Sequence, residues 1–283
     1  MPQPELATYC ADQVRRFDHD RYLTALFAPA ARRDSLFALY AFNLEIAKTR
    51  EVVSEPTLGL IRLQWWRDSI AALYDGKPPP RHEVLQPLAA AIRDHGLDHA
   101  HFEQLIEARE QDMERDPPPT LPALLIYAEG TAAPLMALAL EALGVRDAAS
   151  LRAARAVGVA WALTGLVRAV AFHAGQQRIA LSADLLDEAG VDRDRLMALK
   201  PQPELNRAVA RLAETARERL AEARALRREI DRRALPALLL AALADRHLDR
   251  LERAGWDVMS GAAHRPDGTA PAALAWRALR GRY

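Results

Sequence analysis

Residues 37–51 read FALYAFNLEIAKTRE, and the fold class turns on this stretch. Its apolar residues recur at helical spacing, and the alternating β-branched run that a strand would need is missing. The pattern extends outward in both directions. No Asn-Gly or Asp-Gly pair sits between two apolar runs, as a tight hairpin requires. Helices are expected at about 5–17, 31–52, 56–75, 82–95, 98–115, 120–143, 148–173, 182–189, 203–231 and 234–254. Asp75-Gly76-Lys77-Pro78-Pro79-Pro80 and Asp116-Pro117-Pro118-Pro119-Thr120 are breaks, because consecutive prolines remove amide donors and push the preceding residue out of the helical region. Gly144 stands where a helix C-terminus belongs, with Asp147 or Ser150 placed to cap the next helix.

The stretch 120–143 is apolar on most faces and is expected at the centre, whereas 203–231 sets Arg and Glu around an Ala/Leu stripe and is expected outside. No linker separates domains and no repeat recurs at solenoid spacing. The chain therefore reads as one all-α domain over 1–259. A C-terminal tail follows at 260–283, partly irregular with a short helix, and 260–272 is its low-complexity part.

The 283 residues are half apolar, and 38 Lys and Arg balance 38 Asp and Glu. A large core can be buried, and no net charge argues for nucleic acid as a partner. The single Cys10 excludes an internal disulfide and fits a reducing compartment. The opening residues lack an apolar core behind a basic flank, and no window approaches 18 uninterrupted apolar positions. The expected location is the cytoplasm, with any membrane contact peripheral and at the inner face. Heavy use of Arg and Ala points to GC-rich coding, and together with the expected lack of a presequence it suggests a bacterial source.

Candidate chemistry is sparse. Asp112/Asp116 and Asp245/Asp249 have the i, i+4 spacing that puts two carboxylates on one helix face. The first pair runs into three prolines and the second lies among Arg246, His247 and Arg250, so both are expected to be solvated charges. No helical HExxH, nucleophile elbow, phosphate loop or dinucleotide loop is present, and His95, His99 and His101 gather at a surface turn. Trp65 and Trp66 point about 100° apart on a helix, so one is free to face a groove, partner or headgroup, although core packing of both is the plainer expectation. Glu129 and Arg168 are charges within apolar helices. They are expected to line a polar cavity or to find partners.

Three longer segments carry a resemblance. RYLTALFAPAARRDSLFALYAFN at 21–43, HFEQLIEAREQDM followed by LLIYAEGTAAPLMALALEALG, and VGVAWALTGLVRAVAFHAGQQRIALSADLL at 157–186 resemble the squalene/phytoene synthase family. The resemblance implies the all-α isoprenoid synthase fold with one central cavity. Active members read roughly YAFCRxxDDxxD on one helix and LTNILRDVxEDxxRGRIYLP on the facing one. Here Tyr40, Ala41 and Phe42 remain, Asn43 and Leu44 replace the cysteine and arginine, and Ala47, Lys48 and Glu51 occupy the aspartate positions. On the second helix Arg168 and Arg178 remain. Gly165 replaces the asparagine, and Ala169, Phe172 and His173 replace the acids. Magnesium needs several oxygens in defined geometry, so neither it nor any other cofactor is expected.

FALYAFNLEIAKTREVVSEPTLGLIRLQWWRDSI, 37–70, is more closely similar to a noncatalytic branch of the family, a mitochondrial assembly factor for complex I. That similarity implies no catalytic residue. It implies respiratory complex I subunits or assembly intermediates as partners, with peripheral membrane contact. Two alternatives stay open: a prenyl transferase holding diphosphate without metal through Lys48, Arg50, Arg168 and Arg178, and a carrier for an isoprenoid or phospholipid. The candidate cavity residues under these readings are Tyr40, Asn43, Lys48, Glu51, Glu129, Arg168, His173 and Arg178.

Overall fold

The computed structural model describes residues 4–260 and 267–283, and no strand occurs among them. The first half of the chain forms α1 (Pro4–Phe17), α2 (His19–Ala25), α3 (Ala30–Ala47), α4 (Thr49–Val52), α5 (Pro56–Tyr74), α6 (Leu85–His95), α7 (His99–Glu110) and α8 (Leu121–Ala142). The second half forms α9 (Ala148–Arg168), α10 (Val170–Gly175), α11 (Ala183–Ala189), α12 (Arg193–Met197), α13 (Pro203–Ala225), α14 (Leu235–Leu238), α15 (Leu240–Arg253) and α16 (Ala270–Leu279).

Local chemistry sets most boundaries. Thr120 ends the second proline run and caps α8, its side chain accepting from the Ala123 amide at 3.3 Å. Asp147 caps α9 through the Ser150 amide at 2.8 Å. Gly96 and Gly190 close α6 and α11 in the left-handed conformation that a Cβ disfavours.

Two expected helices are broken where the chemistry matters. The stretch 31–52 is interrupted at Lys48 and 148–173 at Ala169, each with ψ near zero, and a short helix follows each break. The stretch 203–231 stops at Ala225, because Arg227, Arg228 and Glu229 offer the core nothing and the backbone tightens into turns. The stretch 98–115 likewise ends early, in a 3-10 turn at Gln111–Met113. After a 3-10 turn at Arg232–Ala234, with Pro236 in the first turn of α14, the stretch 234–254 divides at Leu239 into α14 and α15. The short helices α2 and α12 were not expected. Each starts on an aspartate cap, Asp18 and Asp192.

The centre is the pair α8 and α9. A Cβ on Gly158 would lie 2.9 Å from Met136 Cγ and 3.2 Å from the Ala132 carbonyl, so the two backbones approach at a distance only glycine permits. Helix α8 is long and apolar enough to cross a membrane, but α3, α7 and α9 pack against it and it is a core helix. Helix α13 lies along α9, burying Leu205, Leu212 and Leu220 and turning its arginines outward. Trp66 is fully buried, edge-on to Phe42 with ring centres 5.3 Å apart, while Trp65 is 41% exposed. Core packing of both tryptophans is therefore corrected. Residues 261–266 of the expected irregular tail lie outside the described residues. Beyond them α16 packs Leu274 into the core, and Arg246 anchors Asp267 at 2.6 Å.

Candidate functional site

A cavity of about 360 Å³ lies between the broken ends of α3 and α9, the C-terminal end of α7 and the first turns of α8. Its inner wall is apolar, from Leu124, Ala162, Leu166 and Ile179. The breaks described above put Ala47 and Ala169 on this wall, with Gly165 one turn before Ala169. These are the positions at which carboxylates would have to converge to hold a magnesium–diphosphate group.

The polar side is built around Asp112. Tyr127 Oη donates to Asp112 Oδ1 at 2.6 Å, and Arg109 Nη1 donates to Asp112 Oδ2 at 3.3 Å and to Tyr127 Oη at 3.0 Å. Arg178 Nη2 donates to the Asp112 carbonyl at 3.0 Å, tying the segment after α10 to the end of α7. The side chains of Arg109 and Asp112 are only 16% and 14% exposed, so the pair is held where water screens it weakly. Burial raises the Tyr127 phenol far above its usual range, so it acts as a neutral donor. Burial, and then the Arg178 charge, lower the His173 imidazole, which is neutral near pH 7 with a buried Nδ1 that has no partner among the described residues. Arg109 Nε is unpaired in the same sense.

Charges on the lining balance. Arg50, Arg109, Arg115 and Arg178 face Glu51, Asp112, Glu114 and Asp116. The acids do not form a metal cluster: among the described residues no three carboxylates of this cavity bring ligand atoms within 4.8 Å of one another. Asp112 is also committed to Tyr127 and Arg109. The donors present do not fit a magnesium–diphosphate centre.

Of the expected site residues, Glu51, His173 and Arg178 line the cavity. The other five do not. Tyr40 is buried behind it, with the Arg21 guanidinium 5.7 Å from its ring centre. Asn43 is buried, with an Oδ1 that has no partner among the described residues. Lys48 turns away and pairs with Glu45, which Arg62 also meets at 2.6 Å. Glu129 forms a surface ion pair with Arg155 at 2.6 Å, so its place as a cavity residue is corrected. Arg168 points to the other side of α9, 3.6 Å from Asp20, which also bonds His247 at 2.8 Å.

Arg109, Asp112 and Tyr127 were missed as a group. The available signal was an Arg and an Asp three residues apart, plus a tyrosine within a helix rich in Ala and Leu. Asp116, expected to be a solvated helix end, lines the cavity as well. Asp245 and Asp249 are ion-paired away from the cavity with Arg224 and Arg217, as charges on an outer face are.

Comparisons with known proteins align with this architecture. A profile described as squalene/phytoene synthase matches residues 14–271. The NADH dehydrogenase (ubiquinone) complex I assembly factor 6 of Bos taurus is 30% identical over 97% of this chain and 82% of its own length. The human protein of the same name is 29% identical over 88% and 75%. A presqualene diphosphate synthase of Rhodopseudomonas palustris is 29% identical over 60% of each chain. Among solved structures, a dehydrosqualene synthase superposes with a TM-score of 0.85 over 98% of this chain and 96% of its own, at 19% identity. A squalene synthase from Alicyclobacillus acidocaldarius gives 0.76 over 89% and 95%, at 20% identity. These two likenesses establish a shared fold.

Proposed function

The chain belongs to the squalene/phytoene synthase family, and from that premise we propose that it is a noncatalytic member that assists assembly of respiratory complex I, the NADH:ubiquinone oxidoreductase. One observation carries the reading. Where two helices face each other across the cavity, Ala47 and Ala169 stand in place of acids, and Lys48 is drawn off to Glu45. A diphosphate leaving group needs concentrated positive charge, from metal or from arginines. This cavity offers no converging carboxylate trio among the described residues, and as many acids as bases. The similarity to assembly factors named for complex I, which runs nearly the whole length of the chain, supports the same conclusion.

The finer parts of the proposal are a cytoplasmic protein that works without magnesium or another cofactor. It meets complex I subunits or assembly intermediates at the inner face of the membrane by peripheral contact. The transferase alternative loses its basic mouth, since of Lys48, Arg50, Arg168 and Arg178 only Arg50 and Arg178 face the cavity. The carrier alternative keeps one observation in its favour: an apolar inner wall beneath a polar rim suits an isoprenoid or phospholipid tail.

Two measurements test the proposal. Purified protein incubated with magnesium and farnesyl or geranylgeranyl diphosphate is expected to release no squalene, phytoene or cyclopropyl diphosphate, and turnover would overturn the noncatalytic reading. Deleting the gene is expected to lower NADH:ubiquinone oxidoreductase activity while pigment and hopanoid content stay unchanged. The opposite pattern would return the protein to isoprenoid synthesis.

A further inference from the structure

Arginines from two separate stretches of sequence meet at the C-terminal end of α13. Residues 224–233 read RALRREIDRR and residues 277–283 read RALRGRY. Tyr283 holds them together: its Oη donates to the Ala223 carbonyl at 2.7 Å, and Arg224 Nε donates to the Tyr283 carbonyl at 3.2 Å. The approach is close enough that a Cβ on Gly281 would lie 3.5 Å from Arg232 Nη2.

Between them lies a pocket of about 410 Å³, lined by Arg224, Arg227, Arg277, Arg280 and Arg282, with Asp245 as the single acidic side chain. Helix C-termini favour cations, and two of them, from α13 and α16, converge here. That accounts for Arg224 and Arg277, which spend their charge on Asp245 at 2.5 and 3.4 Å. Arg280, the C-cap of α16, shares that attraction, whereas Arg227 and Arg282 lie past the last helical residues. Among the described residues Arg227 and Arg282 form no ion pair, and Arg280 lies flat on Trp276, 3.9 Å from the ring centre. Three guanidinium groups share one concavity with no acidic side chain paired to any of them among the described residues; the main-chain oxygen of Tyr283 is taken up by Arg224, so an added anion meets donors that are still free.

We propose that this pocket binds a phosphate group. Guanidinium forks match phosphate oxygens two at a time, and a phosphate accepts from several forks at once, where a single carboxylate would occupy one. The attraction is local, because the chain as a whole carries no net charge. The pocket shares no residue with the cavity described above, and the inference does not rest on the proposed function. The phosphate can be a soluble ion or the headgroup of a membrane phospholipid. Trp276 at the rim and Leu279 one turn further on α16, 57% and 83% exposed, are the amphipathic border that a headgroup site requires and a soluble ion does not.

The test uses the full chain in two arms. One is calorimetric titration with inorganic phosphate and pyrophosphate. The other is flotation with phosphatidylcholine vesicles, with and without phosphatidylglycerol. Saturable binding is expected in at least one arm, weakened about tenfold or more by the double variant Arg227→Ala/Arg282→Ala. It should be unchanged in Arg211→Ala/Arg219→Ala, which removes the same charge from exposed ion pairs on α13. Binding confined to the phosphate arm assigns a soluble ligand, and binding to the anionic vesicles assigns a headgroup. No saturable binding in either arm, or an equal loss in both double variants, overturns the site. Neither Arg227 nor Arg282 makes a side-chain bond within the fold among the described residues, so the variant protein folds and its thermal melt serves as the control.

Discussion

Asp112 shows how one carboxylate can hold a cavity wall together. It accepts from Tyr127 and Arg109, and its carbonyl accepts from Arg178. Removing it leaves the Arg109 charge enclosed without a counter-ion. Asp112→Ala is therefore expected to lower unfolding free energy by about 3 kcal/mol in urea titration, whereas Tyr127→Phe, which deletes a single neutral donor, costs about 1 kcal/mol. A pH effect follows from the histidines. Burial holds His173 and His247 below their ordinary value of 6.5, so the unfolded chain takes up protons at a higher pH than the fold does. Their contribution to stability is complete above the unfolded value of 6.5 and is lost as pH falls from there through the lower folded values. His173→Gln should flatten the acid limb of a stability–pH curve measured by thermal melts, and an unaltered limb would remove His173 from this account. The sequence showed Lys48 in an aspartate position and three residues after Glu45, a pairing distance on one helix, but not that Arg62 from another helix meets the same carboxylate.

At the scale of elements, the breaks at Lys48 and Ala169 separate this chain from a plain helical reading. Periodicity identifies an amphipathic stretch but is nearly blind to a single residue with ψ near zero, since the apolar pattern resumes one turn later. The cap at Asp147 was legible, because it acts on an amide three residues away; Thr120 was legible only as the end of a proline break. Asp147→Ala should cost about 1 kcal/mol, seen as a modest fall in Tm. The junction of α8 and α9 is more demanding. Gly158→Val would drive a branched side chain into Met136 and the Ala132 carbonyl, and a loss of about 2–3 kcal/mol is expected. A neutral outcome would mean that the two helices are free to slide apart.

At the scale of the whole molecule, the cavity offers a way to separate scaffold from carrier. A Cβ on Gly165 meets no atom within 4 Å, so a side chain can start there in open space, and Gly165→Leu adds bulk to the cavity lining together with helix propensity. The variant is expected to fold, to exclude any apolar ligand from the cavity in mass spectrometry of lipid extracts, and to restore complex I activity in a deletion strain. Failure to restore activity in a folded variant would transfer the function to whatever the cavity holds. Sequence alone determined the all-helical class, the central place of α8, the family and the absence of acids at positions 47, 48 and 169. All of these are read from local periodicity or from residues one at a time. Tertiary structure alone decided which charges meet. Of the eight expected site residues it placed three on the cavity, sent Glu129 to the surface and Arg168 to Asp20, and added Arg109, Asp112 and Tyr127. A charge acts over a few ångströms in a direction set by its rotamer and by helices distant in sequence, and neither the distance nor the direction is encoded in spacing along the chain.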